Sequence, residues 1–380
     1  EAMAMELDQV FVIGESIEEA WGSTDAKMNA ARATGDERGR ALCLIKMGEI
    51  AVMTGDIGGA DGYVGEAMSL CSEMKFEEGR AAVMNVMAKI SIKKGGDEED
   101  LEEGVDSATD ALKLFKKAGF RKGEAVALTT LASVYQASKK ATLAIKSAKE
   151  ALAVFAELGE KRAMADVYGT VKSAYLAKSP PETFLAAKQM EKAMALYQEL
   201  GDKSKEAASM HSLGLVEKDA GDVKKAAAAL QKAKDLATEA GDFKGQGEVM
   251  ETMMQMLLDA GLYSDAVNVG KERISIFRNA GDSSAEGHAM LKLGDVMMKN
   301  GDYDRADKLA QSAMGLFASV NDMEGLKQTK DLVDGAKHEK VKTEIETSIE
   351  KAKGAMHVPT FYLVDPGMNK RIAAGFASAI

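Results

Sequence analysis

Four histidines, two cysteines and 60 acidic side chains are the residues of this chain whose types could carry chemistry. Their spacing does not assemble any. No Cys-x-x-Cys or His-Glu-x-x-His pattern is present, so no metal ligand set is assigned. The glycine-rich stretch from Gly55 to Gly65 lacks the Lys-Ser/Thr pair of a phosphate loop and does not follow a strand-like run. Carboxylates spread over helical stretches are what any solvated helix face carries. We therefore expect no catalytic residue, no cofactor and no metal, and a protein that is not an enzyme.

The elements that position these residues recur. Turns fall at Gly35-Asp36, Lys75-Phe76, Gly119-Phe120, Gly159-Glu160, Gly201-Asp202, Gly241-Asp242, Gly281-Asp282 and Asn321-Asp322. The period is 40 residues, stretched once to 44 and once to 42. Each unit divides again near its middle, for example at Gly55-Asp56, Gly221-Asp222 and Gly301-Asp302, giving two helices, A then B. Gly or Asn supplies the left-handed residue that closes one helix, and the following acid caps the next. Helix A carries an apolar register at Met47, Met87, Leu131, Val171, Leu213, Met253 and Leu293. Helix B carries a small one at Ala67, Ala111, Ala151, Ala193, Ala233 and Ala313, broken by Arg273, whose long stem is expected to snorkel outward or push the next helix away.

A fixed period of this size marks a solenoid. Leu293-Gly294, Gly301-Asp302-Tyr303, Ala306 and Ala313 together resemble the tetratricopeptide repeat in a long form of about 40 residues. The resemblance spans roughly residues 1 to 335. It implies an all-α, right-handed superhelical solenoid of antiparallel helix pairs, with helix A lining a concave groove. The expected organisation is an incomplete repeat over 1–34, seven hairpins over 35–322, a capping helix over 323–356 and a tail over 357–380.

On that frame Cys71 takes the slot filled elsewhere by Phe115, Phe155, Tyr197, Phe277 and Phe317, and Cys43 a slot filled by Val83, Ala127 and Val167. Both thiols read as small buried hydrophobes. His211 and His288 fall on A helices two repeats apart. Packed helices lie about 8–10 Å apart, so the two imidazoles cannot share an ion and each is expected to hydrogen-bond a neighbouring acid. The methionines of the A helices, Met47, Met87 and Met253 among them, read as core filling. The acidic run Asp97–Glu103 reads as a solvated loop. Ser179-Pro180-Pro181-Glu182 reads as a capping box with Ser179 as the cap.

The groove lining inferred from the resemblance is Asn85, Lys89, Thr129, Ser133, Gln136, Ser173, His211, Lys218, Glu251, Gln255, His288, Lys292 and Asp295, with Ile45, Val52, Leu176 and Leu258 interspersed. The Lys and Asn set of relatives that grip C-terminal carboxylates is not reproduced, and neither is the Asn ladder of those that hold extended peptides. Both charge signs with scattered apolar groups suit a protein or peptide partner rather than a small molecule. A net charge of −11 argues against nucleic acid. No apolar run approaches the ~20 residues of a membrane span, so no direct membrane insertion is expected. An intracellular protein follows, soluble or peripheral to a complex. The chain begins on Glu1 rather than Met, which leaves a cleaved leader or a longer parent protein open.

The tail differs in composition and brings Phe361, Tyr362, Leu363 and Phe376 as candidate contacts. The function expected is a non-catalytic scaffold or adaptor that binds a partner segment through groove and tail. The alternatives are a fixed subunit of a large assembly and the sensor region of a longer regulatory enzyme.

Overall fold

Sixteen helices and no strand make up the described residues, which in this computed structural model are 6–11, 16–95 and 97–355. The helices are α1 (Ile17–Thr34), α2 (Glu37–Thr54), α3 (Ile57–Glu73), α4 (Glu77–Lys93), α5 (Glu98–Ala118), α6 (Arg121–Ala137), α7 (Ala141–Leu158) and α8 (Lys161–Leu176). They continue as α9 (Thr183–Glu199), α10 (Lys203–Asp219), α11 (Val223–Ala240), α12 (Phe243–Asp259), α13 (Tyr263–Ala280), α14 (Ser283–Lys299), α15 (Tyr303–Val320) and α16 (Met323–Ala355). The chain packs as two compact units, Glu1–Met253 and Met254–Ile380. Among the described residues no helix is long and apolar enough to cross a membrane.

The turns are built as the sequence implies. Gly35, Gly159, Gly241 and Gly281 close their helices with φ between 66° and 73°. Where the next residue is Asp it caps the following helix: the Asp36 and Asp242 carboxylates, and Asp322 behind left-handed Asn321, accept from the backbone N–H of Gly39, Gly245 and Gly325 at 2.9, 2.7 and 2.8 Å, whereas Glu160 makes no side-chain cap bond. So short a link returns each helix antiparallel to the one before. The small register lets them approach: Ala67, Ala111, Ala151, Ala233 and Ala313 are fully buried.

In the first unit successive A helices also touch one another, α2 with α4, α4 with α6 and α6 with α8, whereas no two B helices are seen to make a comparable contact among the described residues. The A helices therefore line the inner side of this unit. Polar bonds stitch successive repeats along their N-terminal ends. Lys122 pairs with Glu160 at 3.3 Å, Arg162 with Asp202 at 2.6 Å, and the Ser204 hydroxyl donates to Asp242. The second unit repeats the device, with the Ser284 hydroxyl donating to Asp322 at 2.7 Å.

Several local expectations are corrected. The acidic run is not a loop. Asp97 caps α5, accepting from the Asp100 N–H at 2.9 Å, and Glu98, Glu99 and Asp100 form the first helical turn. Carboxylates are favoured there by the positive helix end, and the extra residues of the long repeat lengthen its helix B to 21 residues. Ser179 is not a cap either: α9 begins at Thr183 behind Glu182, and the Ser179-Pro180 peptide is cis. Pro180 precedes a second proline, which disfavours helical backbone at its own position, so the helix starts beyond both. Met87 is 40% exposed and does not fill the core. Arg273 does not snorkel: it is 8% exposed and its guanidinium lies 5.6 Å from the Phe277 ring centre.

The N-terminal stretch holds one long helix, α1, opened by a capping box between Ser16 and Glu19. The place of a helix A before it is taken by a short 3-10 turn, Leu7–Gln9, followed by Val10 and Phe11.

Candidate partner-binding groove

The side chains that face inward in the first unit enclose a cavity of about 570 Å³. It crosses four A helices diagonally. Glu49, Val52 and Met53 come from α2, Lys89, Ile92 and Lys93 from α4, Val126, Thr129, Thr130 and Ser133 from α6, and Ala163, Asp166 and Val167 from α8. Phe155 of α7 closes its floor, and Phe11 enters from the N-terminal segment. The 40-residue period makes this possible, because residues one repeat apart on neighbouring A helices share a register and stand side by side.

Its electrostatics are mixed. Glu49, 5% exposed, pairs through Oε1 with Lys89, while its Oε2 has no partner. The Thr130 hydroxyl is buried and also has none. Thr129 and Ser133 donate their hydroxyls to the carbonyls of Ala125 and Thr129 at 2.9 and 3.1 Å, leaving lone pairs toward the cavity. Asp166 accepts from the Tyr197 hydroxyl. Apolar walls with acceptors and two lysines at the rim can hold an extended segment by its side chains and satisfy its backbone N–H groups.

Of the groove residues expected from sequence, Lys89, Thr129 and Ser133 meet in this cavity. Asn85 does not line it. It is fully buried, in the same register as buried Ile45, and neither amide atom has a partner. Gln136, Ser173 and Lys218 are half-buried on their helices.

His211, Glu251 and their neighbours form a separate region of the same unit. His211 Nε2 lies 2.7 Å from the Thr252 hydroxyl rather than against an acid. Burial holds its imidazole below the ordinary value; Glu248 pulls it back up and Lys172 pushes it further down. Lys172 is likewise held low by burial. A smaller cavity of about 240 Å³ opens here between α10 and α12. Glu251 is half-buried beside it in sequence.

Gln255, His288, Lys292 and Asp295 belong to the second unit. Gln255 is exposed and donates to Asp259 on its own helix at 2.7 Å. His288 does meet an acid, Asp322 at 3.3 Å, and its ring packs 4.8 Å from that of Phe317. Lys292 and Asp295 are exposed. Phe361, Tyr362, Leu363 and Phe376 lie outside the described residues.

Both cysteines are buried and free, and burial raises each thiol to about 11, so neither is a nucleophile near neutral pH. Among the described residues no three His, Cys, Asp or Glu side chains converge as a metal set.

Among the lining residues that sequence reasoning missed are Phe11, Glu49, Thr130, Asp166 and Val167. The first had a visible signal: Val10-Phe11-Val12-Ile13 is an apolar run ahead of the first long helix with no counterpart in the other repeats.

With helix pairs, small-residue registers and an inner face of A helices established, the fold is that of a tetratricopeptide-like helical repeat array. The apo form of RapI is similar in structure, with a TM-score of 0.56 and 12% identity over 89% of this chain and 97% of that one. BtubC from P. vanneervenii aligns with a TM-score of 0.49 and 21% identity over 60% of this chain and 93% of that one. The signal transduction ATPase with numerous domains from Pyrococcus horikoshii, which has a tetratricopeptide repeat sensor, aligns with a TM-score of 0.45 and 14% identity over 90% of this chain and 55% of that one. Neither a family model nor a curated protein matches the sequence.

Proposed function

We propose that this chain is a non-catalytic interaction scaffold that binds a segment of a partner protein across the A helices of its first unit. The observation that carries this reading is the cavity of about 570 Å³, apolar in its walls and supplied with acceptors by Glu49, Thr129, Thr130 and Ser133. A cavity of that size holds two or three side chains of an extended segment. Lys89, Thr129 and Ser133 are its contact residues. The more distant candidates, from His211 and Glu251 to His288 and Asp295, and the tail residues Phe361, Tyr362, Leu363 and Phe376, extend the same reading beyond this cavity.

Site-specific photo-crosslinking tests it. A photoreactive phenylalanine at Thr129 should capture a defined peptide of one protein from a native extract. The same probe at Lys192, on a helix B, should not. Capture from Lys192 alone would sink the reading.

A second reading, a fixed assembly subunit, has one observation in its favour. Val341, Ile345 and Ile349 form an exposed apolar stripe on α16, each about half exposed. Crosslinks confined to Ile345 would favour it.

A further inference from the structure

Helix α2 is buried on every side. From Ala41 to Val52 each residue is buried, including Lys46 at 3% and Glu49 at 5% exposure. Helix α10 of the same unit is what an open inner face looks like: His211, Ser212, Leu213 and Lys218 are half-buried and Leu215 is exposed. The segment Glu6–Phe11 packs into the same apolar cluster as α2. Its 3-10 turn is closed by a reciprocal bond between Glu6 and Gln9, and Lys27 of α1 donates to Gln9 at 2.7 Å. Those bonds direct Val10 and Phe11 inward, where they are 0% and 4% exposed. The Phe11 ring meets that of Phe115 edge-on at 6.2 Å and stacks on Phe120 at 6.3 Å. It also forms one wall of the groove cavity.

The segment fills the groove incompletely. The cavity of about 570 Å³ remains beside Phe11. Glu49 Oε2 and the Thr130 hydroxyl, both on its lining and both more than nine-tenths buried, have no partner. Buried acceptors left unsatisfied are costly, so an occupant that supplied donors to them would bind better than the segment does.

We propose that Glu6–Phe11 is an internal ligand of the first unit's groove, held in cis at the place where a partner segment docks and displaced by it. The chemistry of the occupant defines the partner: a short extended segment with an aliphatic–aromatic pair like Val10-Phe11, followed by hydrogen-bond donors that reach Glu49 and Thr130. Tethering gives the internal segment a high effective concentration, so it excludes weak ligands and yields to those that also satisfy the two acceptors. The proposal rests on the groove being the partner site.

A labelled, end-capped peptide of residues 6–11, Glu-Leu-Asp-Gln-Val-Phe, is titrated by fluorescence anisotropy against the full chain and against the full-length variant Val10→Asp/Phe11→Asp. Apparent affinity scales with the fraction of open groove, so the variant should bind roughly tenfold or more tightly than the unaltered chain. Adding Thr129→Arg to the variant should abolish that binding. Equal binding to both chains overturns the proposal, as does no binding to a variant that keeps its full helical circular dichroism. If the double variant loses helicity, Phe11→Ala replaces it. Retained helicity with gained peptide binding supports the proposal, and loss of helicity there as well means that the segment is core, not ligand. Peptide binding as expected with no partner crosslinked at Thr129 would sink only the functional reading.

Discussion

His211 shows how a single residue's burial sets a measurable property. Its imidazole is held below the ordinary value of 6.5, chiefly by burial. The unfolded chain therefore binds that proton more readily than the folded one, and stability falls as pH drops through the unfolded value. Ordinary carboxylate values lie below this window, and desolvation moves Asp295 upward toward it. We expect His211→Gln, which can still bond Thr252 but does not titrate, to weaken the pH dependence. Urea midpoints at about pH 7.5 and about pH 5.5 would differ less in the variant than in the parent chain; an unchanged difference would place the titrating group elsewhere.

At the scale of the element, the contact between the end of helix B and the start of the next helix A is the tightest joint of the repeat. Phe317 at the end of α15 is fully buried, and a Cβ on Gly325 of α16 would come within 2.4 Å of its ring. Cys71 and Phe115 occupy the same place against Gly79 and Gly123. The spacing is eight residues each time, and at these three joints the missing Cβ leaves room for the side chain that ends the preceding helix. Gly325→Ala is expected to destabilise by about 1–3 kcal/mol through overpacking. Gly315 offers the control, since nothing lies within 4 Å of its Cβ position on α15; Gly315→Ala should stabilise by about 0.5–1 kcal/mol through helix propensity. Chemical unfolding of both variants measures the contrast, and equal effects would refute the joint.

At the scale of the molecule, cohesion is a sum of contacts between neighbouring repeats. Within the first unit the stitching pairs are interchangeable by register. Removing 159–200, one whole repeat, would bring Asp202 to the position of Glu160, opposite Lys122, and leave the Arg121–Glu157 pair intact. The shortened chain is expected to keep its helicity per residue and to unfold cooperatively, as read by circular dichroism and urea titration. A disproportionate loss of helicity would show that distant repeats depend on one another.

The repeat was legible because it is local. Gly or Asn closing one helix, Asp capping the next and alanine at a fixed register act within a few residues of themselves, so the 40-residue period alone determined the helix pairs and their turns. Two local readings failed for equally local reasons: an acidic run favours a helix start over a loop, and a proline followed by a proline is disfavoured as the opening residue of a helix. What sequence could not supply was occupancy of the inner face. Asn85 and Thr129 are similar polar residues on A helices, yet one is sealed and the other lines a cavity. Phe11, which lies outside the period, reaches the wall of that cavity only when the chain folds back on its own groove. Burial on such a face depends on what covers it, and a cover contributed from far along the chain is decided by tertiary packing.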